Sequence, residues 1–244
     1  MIRIIVAGLF VVLFLVLSIP VLIVEWIVGK FNQQAKDNSS MHIIQWAFRV
    51  VLKIAGTNLV AYGTENIPTD RSVLFVGNHR SIFDILILYV NVKKPTGIIA
   101  KKELGKVPLL KRWMYNIRCI FLDRDNIKEG LKMVLNAIEM VKSGINIAIF
   151  PEGTRNKDNG TFLPFKGGSF KIAEKSGCDV IPFAIINSAA IFEDQKPRLK
   201  KTKAIIVFGE PIKTAGLPKE ELKLIPEKAR DSVIALYESK VGEL

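Results

Sequence analysis

The residues from Ile4 to Val24 make 21 consecutive positions with no charged side chain. As a helix rising 1.5 Å per residue, such a run reaches about 30 Å, close to the hydrocarbon thickness of a bilayer. Left in water it would expose a large apolar surface, so it has to enter lipid or be covered by the rest of the chain. A cleaved signal peptide fits less well. Arg3 supplies a weak basic start, the run exceeds the ~7–15-residue core of such signals, and the chain continues Val28-Gly29-Lys30-Phe31 with no small-x-small site.

A polar stretch from Asn32 to Ser40 separates this run from a second apolar segment, Met41 to Tyr62. Serine or asparagine before Met41 predicts the cap of a new helix. Gln45, Arg49 and Lys53 recur every four residues along one side, and Ile43, Ile44, Ala47, Phe48, Val51, Leu52 and Ala55 occupy much of the rest. That pattern predicts an amphipathic helix whose cations meet an anionic lipid surface. Because this helix is too polar to span alone, residues 1–62 are expected to form a membrane-anchoring helical hairpin embedded in one leaflet. Pro20 is expected to bend its first arm near Ser18, Glu25 to sit by the headgroups, and Trp26 and Trp46 to mark the polar boundary. A straight span, and a soluble helix packed on the main domain, are the other arrangements the pattern permits.

The chain has 35 Lys and Arg against 23 Asp and Glu, a formal charge of +12, of which residues 63–244 keep +9. Such a surplus suits nucleic acid, an anionic membrane or an acidic small substrate. Nucleic acid has no use for the first segment, and nothing in the aromatic pattern encourages it as a partner. A cationic face beside an anchor gathers anionic membrane lipids and places the globular part on the cytoplasmic face of a cell inner or cytoplasmic membrane. Hydrophobic residues make up 49%, which excludes disorder. Cys119 and Cys178 lie far apart in apolar stretches, so no disulfide framework is expected, and the two histidines rule out a histidine-rich metal site. Neither a metal nor a cofactor is expected.

Beyond Tyr62, apolar runs alternate with helical stretches. Strands are predicted at 72–76, 96–100, 117–122, 145–150, 180–186 and 203–208. Helices are predicted at 82–90, 109–115, 127–142, 168–176 and 218–238, the last open to a break at Pro226. The alternation implies an α/β domain over residues 63–244, its sheet covered on both faces.

The sharpest local feature is Gly77-Asn78-His79-Arg80-Ser81-Ile82-Phe83-Asp84, where a strand ends and a helix begins. Functional groups gather at such ends in open α/β sheets. His79 lies in the loop and can fold back to the helix's first turn, so Asp84 can accept the Nδ1 proton and leave Nε2 as a base. With no G-x-S-x-G elbow, that base has to activate an incoming hydroxyl directly, without an acyl-enzyme. A structural histidine at a helix start fits the same residues. The second feature, Phe150-Pro151-Glu152-Gly153-Thr154-Arg155, again follows a strand. Arg155 offers a planar fork of donors for a phosphate, Thr154 a hydroxyl, and Gly153 close backbone approach. Glu152 is expected to orient cations or hold a glycerol end. A tight turn with a surface ion pair is the plainer reading.

Together these features resemble the glycerolipid acyltransferases that share an H-x-x-x-x-D box, whose catalytic pair falls on His79 and Asp84. Phe121-Leu122-Asp123-Arg124, the complete E-G-T-R block at Glu152 to Arg155, Phe165-Lys166-Gly167-Gly168-Ser169-Phe170 and Val180-Ile181-Pro182 follow in the family's order. The resemblance runs from about residue 60 to 210. It implies a mixed, mostly parallel sheet like that of glycerol-3-phosphate acyltransferase. It also implies transfer of a fatty acyl group from acyl carrier protein or coenzyme A to the 2-hydroxyl of 1-acylglycerol 3-phosphate (lysophosphatidic acid). Arg124 is then implied in phosphate binding, with Lys102, Arg155 and Lys166 able to surround the phosphate. Lys102 is singled out from Lys101 and Lys106 by the resemblance alone. The pair Gly167-Gly168 departs from the family, which often has a larger or basic residue there.

Overall fold

The computed structural model describes residues 1–123 and 126–244. Three helices lead: α1 (Ile2–Leu17), α2 (Ile19–Phe31) and α3 (Gln33–Ala55). They are followed by β1 (Thr57–Tyr62), β2 (Val73–Gly77), α4 (Phe83–Tyr89), β3 (Thr96–Lys101), α5 (Pro108–Asn116) and β4 (Ile120–Leu122). Then come α6 (Ile127–Lys142), β5 (Asn146–Ile149), α7 (Lys171–Ser176), β6 (Asp179–Ile186), β7 (Thr202–Phe208) and α8 (Lys219–Val241).

The strands form one seven-stranded sheet in the order β1-β7-β6-β2-β5-β3-β4. All neighbours are parallel except β6 and β7, so the sheet is mixed and mostly parallel, as expected. The period-2 alternation of strand side chains divides its core in two. Val73 and Phe75 of β2, with Ile181 and Phe183 of β6, face Leu52 of α3, Leu88 of α4 and Trp113 of α5. Leu74, Val76, Ile147 and Ile149 face α6 and α7 on the opposite side. Helices therefore cover both faces, which is why β2, β5 and β6 are buried along their whole length. Pro182 is tolerated in this interior because the β7 ladder begins only at Phe183, one residue beyond it.

Helix α8 runs unbroken through Pro226. Its row Ile225, Ala229, Val233 and Tyr237, one residue per turn, is buried against the sheet. That burial offsets the ~3 kcal/mol cost of a proline inside a helix. The glycine pair Gly167-Gly168 opens a short 3-10 turn leading into α7.

The first 62 residues differ from expectation in three ways. The polar stretch 32–40 is helical: α3 begins at Gln33, and the Asn32 side chain accepts from Ala35 N–H at 2.9 Å. Two of its polar residues are buried against the rest of the chain, Asp37 binding half-buried Arg118 at 2.8 and 2.9 Å and Ser40 donating to Glu25 at 3.0 Å. Glu25 is thus buried between α2 and α3 rather than at a surface. Residues 57–62, read as the end of the second helix, instead form edge strand β1, paired with β7 from Thr57↔Thr202 to Tyr62↔Val207. The helical part ends at Ala55, capped by left-handed Gly56. Within the row expected to meet lipid, Gln45 is buried and donates to Tyr89 and Val92 carbonyls at 3.0 and 2.8 Å, whereas the cations Arg49 and Lys53 are exposed, Arg49 also donating to Val90 at 3.2 Å. These carbonyls lie at the end of α4 and have no helical partners of their own.

The bend expected near Ser18 is present. Pro20 lies in the first turn of α2, the axes of α1 and α2 differ by 49°, and Ser18 Oγ accepts from Trp113 Nε1 at 2.8 Å. Among the described residues no single helix is long and apolar enough to cross a membrane, though α1 and α2 together pass that test by length and composition. Ile5, Leu9, Val12, Leu13, Leu17, Ile23, Val24 and Ile27 are exposed, as are Trp26 and Trp46.

Candidate active site

Strands β2 and β5 are adjacent and parallel, so the loops that follow them leave the sheet at the same edge. Gly77 ends β2 beneath the ring of Phe183. A Cβ there would lie 2.3 Å from that ring, so only glycine fits. Asn78 clamps the turn to β6, its amide donating to Ile185 C=O at 2.9 Å and accepting from Ile185 N–H at 2.8 Å.

The next residue, His79, is placed by both loops. Its N–H donates to Glu152 Oε1 at 2.9 Å, its carbonyl accepts from Asn156 N–H at 2.7 Å, and its ring stacks on Phe150 at 4.2 Å. Nδ1 lies 2.8 Å from Asp84 Oδ2. Asp84 is fully buried, and the same oxygen accepts from the N–H groups of Arg80 and Ser81, both at 2.7 Å. The two backbone N–H donors fix Oδ2 as an accepting carboxylate oxygen, so Nδ1 carries the proton shared with it and Nε2 holds a lone pair. The five-residue offset works because the chain turns between the two residues, as the loop placement predicted.

Glu152 does not do what was expected of it. It is buried, and its two oxygens accept from the N–H groups of His79 (2.9 Å) and Leu163 (3.3 Å). It braces the histidine turn rather than presenting a carboxylate to glycerol or cations. Burial pushes its carboxyl above the usual range, and the two N–H donors oppose the rise.

Arg155 and Thr154 are exposed on the same loop, and Arg155 Nη1 donates to Glu193 Oε1 at 3.0 Å. Gly153 adopts φ +72°, and a Cβ there would meet Lys166 Nζ at 2.8 Å, so the Lys166 amine lies across the E-G-T-R turn. Lys102 sits in a 3-10 turn after β3, with its amine 3.3 Å from Glu129 and 3.4 Å from Asp123. Bonds to Glu129 and then Asp123 raise its pKa, so it is a cation tied to the Phe121–Asp123 segment rather than to the histidine turn. Arg124 lies outside the described residues. Cys119 is buried, and desolvation pushes its thiol up to about 12, which leaves it inert. No cluster of potential metal ligands occurs among the described residues.

Comparison with known proteins gives the family and the fold. A family model described as Acyltransferase matches residues 58–186. The chain belongs to the acyltransferase family. This acyltransferase is 33% identical over 183 residues to a protein of Helicobacter pylori named 1-acyl-sn-glycerol-3-phosphate acyltransferase, covering 74% of the chain and 75% of that protein. A Borreliella burgdorferi protein of the same name is 33% identical over 153 residues, 63% of this acyltransferase but 61% of its own length. The fold is that of the 1-acyl-sn-glycerophosphate (LPA) acyltransferase PlsC from Thermotoga maritima, whose crystal structure matches with TM-score 0.80 and 25% identity over 97% of this chain and 95% of that one.

Two residues that structure the acyltransferase site escaped the sequence reading. Phe150 ends the predicted strand and opens the second motif without a role assigned to it, yet its ring carries the imidazole. Glu193 lies more than one hundred residues beyond Asp84 in a segment without a motif, and no local signal marks it. Asn78 was within the quoted motif, but its contact is with β6 and has no sequence signature.

Proposed function

We propose that this acyltransferase moves a fatty acyl group from a thioester of acyl carrier protein or coenzyme A to the 2-hydroxyl of 1-acylglycerol 3-phosphate, giving phosphatidic acid. The observation that carries the proposal is the His79–Asp84 pair at 2.8 Å on the same sheet edge as Arg155 and Lys166. His79 Nε2 takes the hydroxyl proton as the oxygen bonds to the thioester carbonyl carbon. The C–S bond then breaks, and the imidazolium returns the proton to the departing thiolate. Asp84 holds the tautomer and balances the imidazolium charge. Arg155, Thr154 and Lys166 hold the phosphate, Gly153 lets it approach the backbone, and the family resemblance assigns Lys102 and Arg124 to the same anion. Glu152 supports the turn from below.

The exposed apolar surface of α1 and α2 supports entry of the amino-terminal helices into one leaflet of a cell inner or cytoplasmic membrane. Anionic lipids lie against the cationic domain, and acceptor is drawn from the bilayer on its cytoplasmic side.

An acceptor panel tests the reading. Lysophosphatidic acid, glycerol 3-phosphate and lysophosphatidylcholine are offered to the purified chain in detergent, with acyl carrier protein and coenzyme A thioesters in turn. Lysophosphatidic acid should be the best acceptor by kcat/KM. Preference for glycerol 3-phosphate or lysophosphatidylcholine would reassign the substrate within the same chemistry. In the same assay, Arg155→Ala should raise KM for lysophosphatidic acid about 10-fold or more, the cost of a charge-assisted hydrogen bond. The thioester KM should stay within about 2-fold. Equal losses toward both substrates would remove Arg155 from the phosphate site.

A further inference from the structure

One carboxylate outside every motif joins the two halves of the site. Glu193 Oε2 accepts from Ser81 Oγ at 2.5 Å, and Oε1 accepts from Ile82 N–H and Arg155 Nη1, both at 3.0 Å. Its side chain is 13% exposed, whereas that of Arg155 is 49% exposed. Ser81 is fully buried, and its N–H donates to Asp84 while its hydroxyl donates to Glu193, so Ser81 couples the two carboxylates.

The geometry points to Glu193 as a positioning residue that hangs Arg155 from the turn carrying His79. A long, half-exposed arginine samples many rotamers in water, and ordering it on substrate costs binding free energy. The bond to Glu193 uses Nη1 and gives the guanidinium a defined direction. Nε and Nη2 have no protein partner among the described residues and stay available to an anion. Glu193 grips Ile82 N–H and Ser81 Oγ, which lie between His79 and Asp84. The Glu152 and Asn156 bonds to the His79 backbone hold the two loops together, and Glu193 adds a side-chain tie that sets the direction of the Arg155 guanidinium relative to the base. In a reaction where the acceptor hydroxyl must sit within hydrogen-bond reach of Nε2, that spacing affects turnover as well as binding.

The inference rests on the phosphate-acceptor reading, and the wild-type acceptor panel tests that reading separately. Its own test compares Glu193→Gln and Glu193→Ala, each also combined with Arg155→Ala. Glutamine keeps an acceptor for Ile82 N–H and a polar partner for Ser81 but loses the charge facing Arg155. Glu193→Gln should raise KM for lysophosphatidic acid about 5–10-fold and lower kcat several-fold, with thioester KM within about 2-fold. In the Arg155→Ala background the same change should alter acceptor KM by less than about 2-fold, because the two residues act as a unit. A Glu193→Gln enzyme with wild-type acceptor KM and kcat overturns the inference. So does an effect on acceptor KM that persists undiminished without Arg155. Glu193→Ala should reproduce the KM effect with a lower thermal midpoint. If it fails to fold, the glutamine pair still decides.

Discussion

His79→Ala is expected to lower kcat about 10³–10⁴-fold, with KM for both substrates within a few-fold of wild type. The expectation depends on the turn surviving the loss of the ring. His79 is held through its backbone, by Glu152 at its N–H and Asn156 at its carbonyl, and neither bond needs the imidazole. Asp84 keeps two of its three donors, and Gly77 and Asn78 still clamp the turn to β6. What disappears is the group carrying an Nε2 lone pair, together with its stacking on Phe150. Steady-state kinetics beside a thermal melt check this. Substantial acyl transfer by a folded His79→Ala chain would remove the histidine from the chemistry.

Asp84→Asn is expected to cost about 10²-fold or more in kcat, less than removal of the base. In serine hydrolase triads the corresponding change inverts the histidine tautomer and costs about 10⁴-fold. Here the N–H groups of Arg80 and Ser81 both point at Oδ2, so the asparagine oxygen has to occupy that place. An amide nitrogen there would face two donors. His79 Nδ1 therefore still donates to an oxygen and the tautomer is kept. The negative charge beside the developing imidazolium is lost, and a charge-assisted bond becomes a neutral one of about half the strength. Kinetics read with the Nδ1 proton resonance separates these effects. A retained resonance with a large kcat loss is the expected pair, whereas wild-type kcat would show that Asp84 only supports the fold.

Much of the site was legible in the residue order. The strand-to-helix passage at 77–84 exposed a histidine and an aspartate in a loop that could fold back, and they meet at 2.8 Å. The second loop was legible for the same reason, since an apolar strand ended in residues suited to an anion. The bend at Ser18 followed from Pro20, whose missing N–H is a local property of the chain. Glu152 was misjudged because its residue type suggests a surface carboxylate, whereas its partners are N–H groups of His79 and Leu163, both outside its own turn. Gln45 differs similarly: its period of four with Arg49 and Lys53 correctly puts it on one side of a helix, but periodicity does not say that this residue is buried against the end of α4 while the two cations stay exposed.

By itself, then, the sequence determined six of the seven strands, the apolar character of the first helices, and which residues are candidates to hold a proton or a phosphate. These depend on alternation, breaker residues and side-chain chemistry, all of which act over a few positions. Only the tertiary structure decided that residues 57–62 form an edge strand beside β7, that Phe150 carries the imidazole, and that Glu193 ties Arg155 to the histidine turn. Each is a pairing of groups distant in the chain, brought together by strand order and burial. Such contacts leave no period or spacing in the sequence, because their geometry exists only after the sheet has formed.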